Sequence, residues 1–430
     1  MEVREPSAKY LLPRHLTDLG ELPVDWRVVP LDEFEPYVTS GSRGWAAHYS
    51  DSGAVFLRIT NLSRACIYPS LDDLRYVEIP ADNSEGIRTA LAVGDVLISI
   101  TADIGIVGLV THDVDLPAYI NQHIALVRFG AQPADSRYVA YYLAGAASQK
   151  RFKAMTDAGA KAGMNLTGVR QVLAAFPPTT TEQTAISEAL TDADALIDSL
   201  EQLLTKKRQI KQGAMQELLT GKRRLPGFVG AWAEATVGSF TDCTAGGTPS
   251  TRIESHWGGD IPWMSSGDLH RKRVYEVEGR ITEEGLRNSS TKWIPERCVL
   301  IGLAGQGKTR GTVAMNHIRL CTNQSIAAIL PVDSYDSDFL FFNLDSRYEE
   351  LRELSAGDGG RGGLNLTLIR SLMVPVPSLE EQRAVAKVLS DIDTDLSAIE
   401  ARLAKARDLK QAMMQVLLTG RIRLVQPAAA

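Results

Sequence analysis

The sequence predicts an α+β protein made of two copies of one module, each a strand-rich mixed domain followed by a long helix, with the two helices paired antiparallel as a coiled coil. Three observations predict it. Residues 178–225 lie on residues 377–424 without a gap, Gln183 falling on Gln382 for an offset of 199 (382 − 183). Within each repeated segment apolar residues recur at alternating spacings of four and three, the period of a coiled-coil seam. Upstream of each segment, β-branched runs such as Val96-Leu97-Ile98-Ser99-Ile100 and Cys298-Val299-Leu300-Ile301 are broken by Gly, Asp and Pro, which is strand and turn patterning. The expected division is a first domain at 1–177, a first helix at 178–221, a second domain at 222–376, a second helix at 377–420 and a C-terminal tail at 421–430.

The repeat is densest in the helices. Glu182-Gln183, Leu190, Asp194, Lys211-Gln212 and Leu218-Leu219-Thr220-Gly221 recur as Glu381-Gln382, Leu389, Asp393, Lys410-Gln411 and Leu417-Leu418-Thr419-Gly420. Upstream it thins to points: Asn121-Gln122 answers Asn323-Gln324, Asn165-Leu166-Thr167 answers Asn365-Leu366-Thr367, and Leu22-Pro23 before Trp26 answers Leu225-Pro226 before Trp232. Two matched helices thus carry two diverged domains, and the divergence sits where the partners of the two domains could differ.

Each helix opens with Pro, then Thr or Ser ahead of Glu-Gln, a capping sequence, and closes at Thr-Gly, a C-terminal stop. The seam of the first is Ile186, Leu190, Ala193, Ile197, Leu200 and Leu204; that of the second is Val385, Leu389, Ile392, Leu396, Ile399 and Leu403. One such stripe would ordinarily pack on its own domain. Two matching stripes can satisfy each other, and helices separated by a whole domain pair most simply as antiparallel neighbours. Lys211 and Lys410 fall on the seam, where a polar residue sets register or its stem snorkels. About 37 residues make a helix of roughly 55 Å. The segment after the second Thr-Gly matches the linker before the second domain, so the C-terminus is expected beside the N-terminal domain in a pseudo-two-fold, near-circular arrangement.

Size and composition fit this plan. With 430 residues, 44% hydrophobic and 23% charged, the chain has the make-up of a globular protein of two or three compact units. No run approaches the roughly 20 apolar residues of a membrane helix, and residues 1–14 lack the apolar core of a signal peptide, so the expected location is cytoplasmic. Cys66, Cys243, Cys298 and Cys321 are widely spaced and read as reduced, mostly buried thiols rather than metal ligands. A net charge of −6 gives no support to a nucleic-acid partner, but a chain can be acidic overall and basic on one face.

The domains contain one tempting decoy. Gly302-Leu303-Ala304-Gly305-Gln306-Gly307-Lys308-Thr309 satisfies the P-loop expression in full after a strand-like run. A P-loop must feed a helix whose N-terminus holds phosphates, whereas Arg310-Gly311-Thr312-Val313 favours another strand. The matching stretch in domain one, from Ser99 to Gly108, lies between two strand-like runs and has no Lys. The balance falls on a Gly-rich hairpin loop bearing Lys308 and Arg310. Similar loops precede the Asn-Leu-Thr triplets and hold Lys161 and Arg361, while Arg43 and Arg252 sit in shorter turns. All six are candidate DNA contacts, because a glycine-rich backbone can approach a duplex and a loop cation can meet phosphate; a solvated surface charge is the competing reading of each.

The chain as a whole resembles the specificity (S) subunit of type I restriction-modification systems. The resemblance rests on the duplicated plan, the Glu-Gln openings after Pro178 and Pro377, both Leu-Leu-Thr-Gly endings, Gly246-Gly247-Thr248-Pro249-Ser250, Ile261-Pro262-Trp263 with Gly267-Asp268-Leu269, and the paired Asn-Gln and Asn-Leu-Thr sequences. It implies that each domain is a target recognition domain reading half of a bipartite site in double-stranded DNA. It also implies that the helices set the spacing and dock two methyltransferase (M) subunits, with restriction (R) subunits joining that core. Domain one departs from the pattern, with Thr39-Ser40-Gly41-Ser42-Arg43 where the Gly-Gly-Thr-Pro sequence would fall. The sequence shows no Asn-Pro-Pro-aromatic tetrapeptide and no Rossmann fingerprint, so the chain is expected to be non-catalytic and without a cofactor, with S-adenosylmethionine on the M subunits and ATP and Mg on the R subunits. Two rivals are a P-loop ATPase using Lys308 and a coiled-coil scaffold for protein partners.

Overall fold

The computed structural model describes residues 13–80, 82–130, 134–157, 163–305, 309–354 and 363–425. The chain divides into two compact units, one formed by residues 1–201 with 401–430 and the other by residues 202–400. Each unit holds one strand-rich domain, the start of the helix that follows it and the end of the other long helix. The fold is thus the mixed two-domain, two-helix architecture that the repeat predicts.

In the first unit an antiparallel sheet runs in the order Tyr37–Ser40, Ile124–Arg128, Val96–Ser99, Val107–Leu109. A second sheet places Ala118–Ile120 parallel to Ala54–Leu57, followed by Arg75–Val77 and Tyr49–Ser50. The helix Ser136–Ala144 lays Tyr138, Val139 and Tyr141 against Val96, Ile98, Ala125 and Val127 of the first sheet. Central strands such as Val96–Ser99 are buried along their whole length, which is why they read as continuous apolar runs rather than alternating ones.

The second unit repeats the plan. Its antiparallel run is Cys243–Ala245, Ile326–Ile329, Val299–Gly302, Val313–Asn316, with Arg273–Val274 added in parallel at the edge. A second sheet runs Arg280–Ile281, Trp257–Met264, Leu320–Thr322, Trp293–Ile294. Phe339, Phe341 and Phe342 of the helix Ser337–Asp345 fill its core where tyrosines serve in the first.

The long helices span Thr180–Leu218 and Leu379–Leu417, 39 residues each. Thr179 Oγ1 and Ser378 Oγ cap them by accepting from Glu182 N and Glu381 N, both at 3.3 Å. Beyond the last turns, Gly221 and Gly420 adopt left-handed φ of 69° and 60°. A side chain at Gly420 would also strike Pro23 Cγ at 2.6 Å, so glycine is required twice over. Ile186 and Leu190 belong to the core of the first domain, together with Leu417 and Leu418 from the end of the second helix. Val385 and Leu389 belong in the same way to the core of the second, with Leu218 and Leu219. Leu200, Leu204, Leu396, Ile399 and Leu403 are buried farther along, and Ile197 and Ile392 are half-buried. The first turns of one long helix and the last turns of the other thus share the core of each domain.

Inside each unit ion pairs fix the antiparallel direction. Asp194 pairs with Lys410 at 2.5 Å and Glu201 with Arg407 at 2.5 Å in the first unit. Asp393 pairs with Lys211 at 2.6 Å and Glu400 with Arg208 at 2.7 Å in the second. The number falls on one helix as it rises on the other, and each pair in one unit has its repeat-related equivalent in the other. The four cysteines are free thiols, three buried and Cys66 half-buried; burial pushes Cys298 up to about 12 and Cys321 up to about 11. Among the described residues no helix is long and apolar enough to cross a membrane.

Candidate nucleic-acid interface

Each domain gathers its loops at one end of the main sheet, and glycines without room for a side chain hold them together. In domain one a Cβ on Gly41 would lie 2.0 Å from Ile120 O, and Ser42 bridges Asn121. In domain two a Cβ on Gly246 would lie 1.9 Å from Thr322 O, and Gly247 N donates to that same carbonyl at 2.8 Å. Gly41 therefore does the work of Gly246, and the departure of domain one from the Gly-Gly-Thr-Pro pattern preserves the close approach that matters. Arg43 then follows Gly41 at the same interval as Thr248 follows Gly246. In domain two Trp263 Nε1 donates to Gly247 O at 3.0 Å and Trp257 Nε1 to Ser250 O at 3.2 Å, so two mutually perpendicular indoles pin the loop.

The hairpin loops join the same clusters. Ile100 N donates to His123 O at 2.9 Å and Met164 N to Ile100 O at 2.8 Å. Thr101 Oγ1 meets His123 Nδ1 at 2.5 Å, and Gln122 Nε2 meets His123 Nε2 at 3.0 Å. In domain two Leu303 N donates to Ser325 O at 2.8 Å and Thr248 Oγ1 to Gln324 Oε1 at 2.5 Å. The P-loop-like stretch is closed by Gly311 N to Gly302 O at 2.9 Å and Gly302 N to Thr312 O at 3.0 Å, and Val313–Asn316 returns antiparallel to Val299–Gly302. A strand stands where a phosphate-binding helix would have to begin, which removes the geometric basis of a P-loop ATPase.

Of the six loop cations, Arg43 and Arg252 are exposed, and Arg310 is half-buried with an Nε that has no hydrogen-bond partner among the described residues. Lys161, Lys308 and Arg361 lie outside the described residues. These candidates were cations in glycine-rich loops and turns; that criterion passes over Gln122, His123, Thr101, Thr248 and Gln324, which the fold brings to the centre of the clusters. The recurrence of Asn-Gln in otherwise diverged segments is the signal that could have found the glutamines.

The other repeated residues are structural clasps. Gln183 Oε1 accepts from Asp135 N at 2.9 Å and Gln382 Oε1 from Asp336 N at 2.7 Å, each tying a long helix to the cap of its domain helix. Glu381 accepts from Arg224 Nη2 at 2.5 Å and from Trp232 Nε1 at 3.0 Å. Its equivalent Glu182 accepts from Arg423 Nη2 at 2.6 Å, while Arg423 also holds Asp25 at 3.0 Å. Burial raises the pKa of Glu182, and Arg423 only partly offsets the rise. Arg14 adds hydrogen bonds to Thr419 O at 3.0 Å and Gly420 O at 3.3 Å, so the tail is fastened to the first domain. Between that domain and the helices of the same unit lies an open cleft of about 1520 Å³, floored by Asp194, Lys410 and Thr191.

Duplicated mixed domains with clustered loops, each carried on a matched long helix, define a class of DNA specificity proteins. The family of type I restriction modification DNA specificity domains matches residues 82–212 and again residues 230–406, and the chain belongs to it. The MjaIX specificity subunit of a type I restriction enzyme from Methanocaldococcus jannaschii is 32% identical over 167 residues, 38% of each chain. The EcoR124I/EcoR124II specificity subunit from Escherichia coli is 28% identical over 179 residues, 41% of this chain and 44% of that one. These two matches thus span less than half of either relative, whereas the putative MjaX specificity subunit of M. jannaschii aligns over 95% of this chain and 96% of its own length at 23% identity. Among solved structures, the S subunit of a type I restriction-modification system from M. genitalium shares the fold, with a TM-score of 0.60 and 15% identity over 91% of this chain and 96% of that one.

Proposed function

We infer that this chain is the non-catalytic DNA-reading subunit of a type I restriction-modification complex, recognising a bipartite site in double-stranded DNA with one domain per half-site. Two methyltransferase subunits dock on it, and restriction subunits join through them. S-adenosylmethionine is then bound by the methyltransferase and ATP with Mg by the restriction subunit, leaving base readout and spacing to this chain in the cytoplasm. The observation that carries the reading is the contrast within one chain: two helices matched residue by residue, with equivalent ion pairs and clasps, bear two loop clusters built on the same glycine contacts but with different side chains. Matched helices suit a symmetric pair of partners, and unlike loop clusters suit the unlike halves of an address. The acidic net charge fits if the partners supply much of the phosphate contact.

Methylome sequencing of a host carrying this gene with its methyltransferase partner tests it. The expected result is one two-part sequence separated by an unspecified spacer. A purified complex that binds all duplex sequences with equal affinity would falsify the reading.

A further inference from the structure

Both domains keep an Asn-Gln pair in loops that have otherwise diverged, and the two residues divide the work. The asparagine serves the backbone: Asn121 Oδ1 accepts from His123 N at 3.2 Å and Asn323 Oδ1 from Ser325 N at 3.1 Å, an Asx turn in each domain. The glutamine stands at the tip of that turn, half-buried in domain one and exposed in domain two. Its amide is held from one side in each case, but by opposite ends. In domain two the Thr248 hydroxyl donates to Gln324 Oε1 at 2.5 Å, which leaves the Nε2 amino group as the end without a partner among the described residues. In domain one Gln122 Nε2 lies 3.0 Å from His123 Nε2, while His123 Nδ1 lies 2.5 Å from the Thr101 hydroxyl. A neutral imidazole donates from one nitrogen and accepts at the other. With the Gln122 amino group turned to His123, both contacts are satisfied by the tautomer in which Nδ1–H donates to Thr101 and Nε2 accepts from Gln122, and the end without a partner among the described residues is Oε1.

We propose that Gln122 and Gln324 are base-reading residues of opposite polarity. Gln122 offers an acceptor to an exocyclic amino group, N6 of adenine or N4 of cytosine; Gln324 offers a donor to O6 or N7 of guanine or O4 of thymine. His123 with Thr101, and Thr248, are the positioning residues that set the polarity. The same residue at equivalent places then reads two different bases, and an asymmetric address arises without changing the residue that touches it. This assignment rests on the DNA-reading role inferred above.

The test compares methylomes of hosts carrying the methyltransferase partner with the wild-type chain, Gln122→Ala, Gln324→Ala, Gln122→Glu, Gln324→Glu or Thr248→Val. Each alanine variant is expected to relax one position, in one half-site only, by about tenfold in base preference. Glutamate keeps an acceptor of the same reach and loses the donor. Gln122→Glu should therefore retain its base preference, with His123 adopting the other tautomer, whereas Gln324→Glu should lose its own. The added charge weakens binding in both, so the difference in preference is the readout. Thr248→Val, which fills the same volume without a hydroxyl, should relax the position that Gln324→Ala relaxes. Equal retention or equal loss in the two glutamate variants overturns the polarity assignment. A wild-type motif that no variant alters overturns the base-reading role while leaving the DNA-reading subunit intact. A wild-type chain that yields no bipartite motif overturns both.

Discussion

The Arg423 and Glu182 side chains are each 1% exposed and face each other as an ion pair, so each depends on the other for what water would otherwise supply. Burial raises the Glu182 pKa in the folded chain even with Arg423 present. A carboxylate whose folded pKa lies above its unfolded value favours folding at low pH and opposes it as pH rises through the folded value. Removing Arg423 strengthens that opposition. Arg423→Ala is expected to lower stability by about 3 kcal/mol at pH 7 and by less as the pH is lowered and Glu182 takes up a proton, as read by urea unfolding; a loss that does not change with pH would show that packing, not charge, is at stake. Asp338 has the opposite sign. Burial would raise its pKa, but Arg273 at 2.5 Å and Arg297 at 2.6 Å pull it below the ordinary value of 3.8. Its contribution is present above the unfolded value and lost as pH falls through the folded one. Asp338→Asn should therefore destabilise the chain at neutral pH by on the order of 1 kcal/mol, and the difference from wild type should shrink as the pH falls through the folded value, a comparison made by denaturant titration at each pH.

The long helices show where a buried ion pair gives direction rather than strength. Lys410 is 8% exposed and Asp194 is 9% exposed; Asp194 also accepts from the Tyr141 hydroxyl at 2.7 Å, so helix, helix and domain meet at one carboxylate. In the second unit Phe342 lies under Lys211, 5.7 Å from ammonium to ring centre, a ring without the hydroxyl that Tyr141 brings. Lys410→Met alone leaves a buried carboxylate and should cost about 3 kcal/mol, whereas Lys410→Met with Asp194→Leu should recover much of that loss, because two apolar side chains of similar volume need no counter-charge. Thermal unfolding of the single and double variants measures it; a double variant no more stable than the single one defeats this account. These elements were legible in the sequence because a seam is local, with every residue that defines it within seven positions of the next. The loop clusters were not. Thr101 meets His123, Gly41 meets Ile120, and Thr248 meets Gln324 across tens of residues, and no periodicity encodes such contacts. Arg43 stood out by charge, whereas neutral Gln122 was marked only by the recurrence of Asn-Gln, and its partners Thr101 and His123 by nothing in the repeat.

At the scale of the whole chain, the bipartite reading proposed above requires that something fix the distance between the two half-sites, and the helices are the elements whose length is set by hydrogen bonding alone. An α-helix rises about 1.5 Å per residue, so seven residues amount to about 10 Å, close to three base pairs of duplex at about 3.4 Å each. Deleting residues 197–203 and 396–402 together removes one coiled-coil repeat from each helix at equivalent places. It keeps the apolar period, because Ala193 is then followed at four positions by Leu204. It also keeps both the Asp194–Lys410 and the Asp393–Lys211 pairs, since the two helices shorten by the same amount between them. The pairs of Glu201 with Arg407 and of Glu400 with Arg208 are lost, and exposed pairs of this kind contribute little. The shortened chain should fold, assemble with its methyltransferase partner and direct modification to the same two half-sites, with the unspecified spacer shorter by about three base pairs. Deleting the seven residues from one helix alone should instead break the pairing and abolish site-selective methylation. An unchanged spacer in the doubly shortened chain would mean that the partners, and not these helices, measure the DNA.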